Sequence, residues 1–94
     1  MMRWKPDATP EQRQAVLEAA GRLPGQIPEI RSYLFGPDAG VSAGTWDLAI
    51  VADFDDADGY RRYADHPVHR AMVEGHVQPI LAERAAVQHE LAGR

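Results

Sequence analysis

The ten residues TWDLAIVADF, Thr45 to Phe54, form the clearest strand signal in this chain. Trp46, Leu48, Ile50, Ala52 and Phe54 fall on one side of an extended backbone, and all are apolar. Thr45, Asp47, Ala49, Val51 and Asp53 make a mixed second face. Two unequal faces imply a sheet with one side packed by the domain's own helices. The other side meets either water or a second subunit.

Chain length sharpens that implication. Ninety-four residues make one domain, residues 1–94. A chain of this size buries only roughly 60–65% of its unfolded surface, so its core is thin and self-association is a common remedy. The net charge is −4, from fourteen acidic and ten basic residues, and Lys5 is the single lysine. That balance argues against a nucleic-acid partner, which would want a basic face. No apolar run approaches the ~20 residues of a membrane span, and Met1 to Pro6 lacks the apolar core of a secretory signal. Cysteine is absent, so disulfides, thiolate nucleophiles and Cys-based zinc sites are excluded. These features together suggest a cytoplasmic protein.

Around the Thr45 strand the other elements fall into order. DATPEQRQAVLEAAGRLPG carries an N-cap at Thr9, proline at the first helical position and Gln12 placed to complete a capping box. Val16, Leu17, Ala20 and Leu23 then form one apolar stripe, and Pro24-Gly25 should end the helix. Ile30 to Gly36 reads as a strand, and MMRWK as a strand stub. Asp55 or Asp56 can cap a short helix bearing Tyr60, Tyr63 and Ala64, which Asp65-His66-Pro67 breaks. A further helix is expected from Pro67 to about Leu81, weakened by Gly75 and Pro79, and a final strand from Ala85 to Leu91. The order is βαββαβ, the ferredoxin-like α+β arrangement with an antiparallel sheet.

The chemistry-bearing residues concentrate in YADHPVHRAMVEGHV, which holds three of the four histidines. On a continuous helix from residue 66, positions 66, 69, 73 and 76 would share a face. No H-E-x-x-H or comparable metal signature is present, so no metal site is expected. His66 or Asp65 suits the N-cap of the helix that opens at Pro67, His76 a solvated helix position, and His89 a strand surface. Tyr63 and His69 flank the Asp-His-Pro break, which could fold them towards one point. An imidazole that exchanges a proton near neutral pH and a phenol that polarises a carbonyl suit general acid/base work. The alternative is that Tyr63 is the ring edge of the core and His69 fills space above it. The acidic cluster Asp53, Asp55, Asp56 and Asp58 is explained by helix capping, and GPDAGVSAG lacks a nucleotide-binding pattern.

WKPDATPEQ, LPGQIPEI and above all YADHPVH, in this order, resemble the stress-responsive A/B barrel (Dabb) family from about Arg3 to Leu91. The family's marks correspond to Trp4-Lys5-Pro6, Thr9 to Gln12, Ile27 to Ile30, a strand ending at Phe54, and Tyr63 to His69. The resemblance implies a homodimeric α+β barrel with two sheets face to face, and a cavity between each sheet and its helices. It implies a first strand shorter than the family's, since MMRW keeps only the last part of it. Val16, Leu17, Ile50, Ala52, Tyr63, His69 and Ile80 would be candidates for the cavity wall, with His66 beside them. A plant polyketide cyclase of this type closes a linear polyketide by aldol condensation, and its Tyr-His pair corresponds to Tyr63 and His69. The implied function is a cofactor-free cyclase or aldol-type lyase acting on a small apolar or polyketide-like ligand. The alternative is a non-catalytic ligand-binding or stability module with a role in stress tolerance. A third reading is a cofactor-free monooxygenase, for which Trp46 and His76 would be the residues to watch.

Overall fold

The computed structural model describes residues 1–90. Seven regular elements appear in chain order: β1 Met2–Trp4, α1 Pro10–Gln26, β2 Ser32–Pro37, β3 Leu48–Asp53, α2 Ala57–Asp65, α3 Pro67–Met72 and β4 Leu81–Arg84. A π-helical turn, Val73–Val77, and a 3-10 turn, Gln78–Ile80, join α3 to β4. The four strands form one antiparallel sheet in the order β2-β3-β1-β4. That is the ferredoxin-like arrangement, with the helices on one side of the sheet.

The start of α1 is settled locally. Gln12 donates its backbone N–H to Thr9 Oγ1 at 3.1 Å, and Thr9 donates its own to Gln12 Oε1 at 2.9 Å. Both members of the capping box are therefore made. The helix does not stop at Pro24-Gly25 as expected but runs to Gln26, with Ile27 donating to the Leu23 carbonyl at 2.9 Å. Pro24 lies in the last turn of the helix and is exposed. Continuing the helix places Leu23 and Ile27 on one stripe, and both are essentially fully buried. The buried face comprises Val16, Ala19, Ala20 and Leu23, while Leu17 is only partly covered.

In the sheet, Tyr33 stands opposite Ala52 and Phe35 opposite Ile50, with Leu34 opposite Val51. Side chains directly opposite share a face. Leu48, Ile50, Ala52, Tyr33 and Phe35 therefore turn to the helices, and Leu34 and Val51 to the open side. Leu48 is buried at 3% exposure, whereas Leu34 and Val51 are 67% and 58% exposed. The strand is shorter at its start than the sequence suggests. Asp47 accounts for this: its carboxylate Oδ2 accepts the Trp4 N–H at 2.8 Å, where a ladder carbonyl would otherwise sit. Trp46 leaves the alternation and lies under the Arg3 guanidinium, 4.3 Å from the ring centre.

β1 spans three residues and pairs with β4 through Met2–Arg84, Arg3–Glu83 and Trp4–Leu81, with an irregularity between Arg3 and Trp4. The last strand is thus Leu81–Arg84, not the expected Ala85 to Leu91, of which Leu91 lies outside the described residues. The reason is the exit from the helix. The π turn and the 3-10 turn at Gln78–Ile80 release the backbone at Leu81, and Lys5 donates to Ile80 O at 2.7 Å. Pairing continues one residue further through Ala85 and Met1, whose backbones exchange two bonds of 2.9 Å. The core lies between sheet and helices and includes Trp4, Val16, Leu23, Ile27, Leu48, Tyr63, Met72, Val77 and Ile80.

Candidate functional site

The break at Asp65-His66-Pro67 places the candidate pair. α2 begins at the Asp56 cap, whose Oδ1 accepts the Gly59 N–H at 2.7 Å, and ends at Asp65. His66 is extended, at φ −62° and ψ 134°, as the residue before proline should be. Its Nδ1 accepts the Val68 N–H at 3.1 Å, so His66 is the N-cap of α3 and its ring is committed to the helix start. Because the chain turns there, Tyr63 on the last turn of α2 and His69 on the first turn of α3 come together. Their ring centres are 4.3 Å apart.

Tyr63 is the hub of an aromatic cluster. Phe54 lies 5.0 Å from it, Tyr60 6.2 Å and Tyr33 6.3 Å, measured between ring centres. The hydroxyls of Tyr63 and Tyr33 are 3.4 Å apart and share one hydrogen bond. Burial pushes the Tyr63 phenol above its ordinary pKa, while the bond from Tyr33 and the charge of Arg84 work the other way. Tyr33 is raised as well, first by burial and then by its bond to Tyr63. Both phenols therefore keep their protons across the physiological range.

His69 is half-buried, and its Nδ1 lies 3.1 Å from the Ala64 carbonyl. A carbonyl only accepts, so Nδ1 carries the hydrogen and Nε2 presents its lone pair. Burial holds the His69 pKa below 6.5; the Ala64 bond opposes this, and the charges of Arg84 and His66 add to it. The arrangement is a neutral imidazole with one free basic nitrogen, beside a protonated phenol.

The other candidate wall residues sit in the layer between helices and sheet. Val16 and Ile80 are buried in the core, with Leu17, Ile50 and Ala52 partly covered around it. Ile50 and Ala52 flank the pair's side of the sheet opposite Phe35 and Tyr33. Among the described residues, two of the surface clefts are open. One, about 250 Å³, lies between α1 and α3 and is lined by Arg22, Leu23, Met72 and His76 among others. The second, about 260 Å³, lies between Met1, Pro37 and Trp46. Neither is lined by Tyr63 or His69, and Trp46 and His76 fall in different clefts. Among the described residues no three His, Asp or Glu side chains gather where a metal could be held.

Two participants were missed in the sequence. Tyr33 could have been found from the parity of β2 against β3. Arg84 could not, because its segment looks in sequence like the connection after a helix end.

The sequence profile described as the stress-responsive A/B barrel domain matches residues 1–90. The chain belongs to that family. A dimeric ferredoxin-like protein of unknown function from Thermobifida fusca superposes with a TM-score of 0.89 at 47% identity, covering 97% of this chain and 85% of that one. A dimeric protein of unknown function and ferredoxin-like fold from Bacteroides fragilis gives 0.82 at 28% identity, covering 96% and 89%. A Dabb family protein from Mesorhizobium loti gives 0.70 at 20% identity, covering 87% and 81%, and shows the fold alone. An uncharacterised protein of Streptomyces coelicolor is 37% identical over 59 residues, which is 63% of this chain and 61% of that protein. The chain thus matches about three-fifths of that curated relative's length. No helix among the described residues is long and apolar enough to cross a membrane.

Proposed function

We propose that this chain acts as a homodimer holding a small enolisable ligand between sheet and helices, with Tyr63 and His69 as its acid/base pair. The observation that carries the reading is the 4.3 Å approach of a phenol and an imidazole whose Nδ1 is already bonded, leaving Nε2 as the only basic atom. The reaction class is an intramolecular aldol closure of a polyketide-like chain. His69 Nε2 removes the acidic proton between two carbonyls, and the electron pair moves onto a carbonyl oxygen. That oxygen takes a hydrogen bond from the Tyr63 hydroxyl, which Tyr33 frees by donating its own proton to the Tyr63 oxygen. The nucleophilic carbon then attacks a second carbonyl of the same chain, and the imidazolium returns its proton to the new alkoxide. Val16, Leu17, Ile50, Ala52 and Ile80 would fold the ligand and exclude water, and His66 would hold the helix entry beside it.

Dimerisation is supported by the open face of the sheet, where Leu34 and Val51 stand opposite each other and exposed. The Thermobifida and Bacteroides proteins are both described as dimeric.

A second reading, a ligand-binding or stability module without turnover, is favoured by one observation: neither open cleft is lined by the pair. Turnover separates the two. Tyr63→Phe and His69→Gln, assayed on a panel of linear poly-β-ketones, should each lose ~10²-fold in rate while remaining folded. An unchanged rate in either variant removes the acid/base mechanism and leaves the binding module.

A further inference from the structure

We infer that Arg84 is the anion-recognising group of this site, so that the molecule bound at Tyr63 and His69 carries a carboxylate beside its enolisable carbonyls. The inference rests on the acid/base reading of that pair and names the class of ligand it takes.

The geometry begins with the sheet. Arg84 stands opposite Met2, which in turn stands opposite Leu48. Met2 packs against the core and Leu48 is buried beneath the helices. Neighbours along a strand point to opposite sides, so Glu83 joins Arg3 on the open face, where the two form a 3.1 Å ion pair. Arg84 leaves the sheet on the helix side, the side of Tyr63 and His69. The backbone there is held by strand pairing, which continues at the adjacent Ala85 through two bonds with Met1.

The second observation is electrostatic. The ion pairs among the described residues engage Arg3, Arg31, Arg61 and Arg62, and none engages Arg84. Its charge nonetheless reaches both members of the pair, drawing down the pKa of the phenol and of the imidazole. His69 is held neutral and, among the described residues, no charged side chain is buried in the core, so this guanidinium is a positive charge bearing on an otherwise uncharged interior. Arg84 itself is exposed, on the edge strand β4. A guanidinium there matches a planar carboxylate in two parallel hydrogen bonds. A ligand anchored at its acid end would lay its ketone carbons inward, towards the tyrosine and histidine.

The test compares a medium-chain β,δ-diketo acid with its methyl ester, one charge apart on the same skeleton. Binding is followed through the His69 imidazole signals by NMR, in native protein, Arg84→Gln and Arg84→Lys. Native protein should prefer the acid by about 10-fold or more, the range of a charge-assisted hydrogen bond. Arg84→Gln should bind acid and ester alike, with ester affinity unchanged, and Arg84→Lys should keep part of the preference. Without any ligand, His69 should titrate higher in Arg84→Gln than in native protein. If acid and ester bind native protein equally, or Arg84→Gln keeps the preference, the role of Arg84 is overturned while the pair survives. If neither compound shifts His69, the pair is not a ligand site, and both readings fall together. If His69 titrates identically in Arg84→Gln, the guanidinium does not reach the pair and the inference falls without reference to any ligand.

Discussion

Replacing Tyr63 in two ways separates what its ring does from what its hydroxyl does. Tyr63→Phe removes one oxygen and leaves the contacts to Phe54, Tyr60 and His69, at 5.0, 6.2 and 4.3 Å between ring centres. The lost bond to Tyr33 measures 3.4 Å. That is well beyond the usual ~2.8 Å of a hydroxyl pair, so its net contribution should not exceed ~1 kcal/mol. For a domain of this size the melting temperature should then fall by no more than about 4–8 °C. Tyr63→Ala removes the hub of the aromatic cluster from a position 8% exposed. By analogy with other buried aromatic truncations the cost is about 3–5 kcal/mol, a fall of at least about 12 °C. Set against a total stability of roughly 5–15 kcal/mol, the alanine variant should lose at least about a fifth of its folding free energy. Thermal and urea melts followed by far-UV circular dichroism, at one fixed protein concentration, measure both. If Tyr63→Phe lost as much stability as Tyr63→Ala, the hydroxyl pair would be holding the fold, and Phe could no longer report on chemistry alone.

Three further outcomes are expected. Because the folded pKa of His69 lies below 6.5, the unfolded chain binds its proton first as the pH drops. Stability contributed by the neutral imidazole is therefore intact above ~6.5 and lost on acidification until the folded state also protonates; His69→Gln should flatten that part of the profile, by at most ~1.4 kcal/mol per pH unit. A pH series of urea melts in which the variant matches native protein would contradict this. His66→Ala removes the cap on Val68 and should cost ~1 kcal/mol, whereas His66→Asn should retain most of it; equal melting of all three would show that the 3.1 Å bond contributes nothing. Val51→Lys combined with Leu34→Lys places two like charges opposite each other on the open face. Sedimentation should then report a folded monomer, and a persisting dimer would locate the interface elsewhere.

What could be read in the sequence was what local chemistry decides. The Thr9–Gln12 box, the Leu48, Ile50 and Ala52 face of β3 and the proline break all act within a few residues and appear as expected, while Trp46 departs from that face. The meeting of Tyr63 and His69 belongs to this class, since a single turn at His66 brings it about. The last strand is not legible in the sequence because Ile80-Leu81-Ala82, directly after Pro79, is as apolar as a helix end. Only the pairing of Leu81–Arg84 with Met2–Trp4, at the far end of the chain, makes it a strand. Tyr33 and Arg84 were missed for the same reason, since their relation to Tyr63 comes through sheet register. The length of α1 past Pro24 likewise depends on a tertiary fact, the burial of Ile27.

The thinness of this core has a consequence for how the site must be probed. Tyr63 is both a core residue and the proposed donor, and His69 packs its ring against it. In a larger domain a site can be cut away while the core stands; here the two share atoms. Truncation therefore measures stability first and chemistry second. Changes that keep shape and alter one polar atom, such as Tyr63→Phe, His69→Gln and Arg84→Gln, separate the terms, because dispersion contacts and buried area stay nearly constant. Arg84 is the most favourable of the three. It is exposed and engaged in no ion pair among the described residues, so its loss should leave the fold untouched while changing the charge that the pair experiences. A change in ligand preference in that variant cannot be ascribed to unfolding.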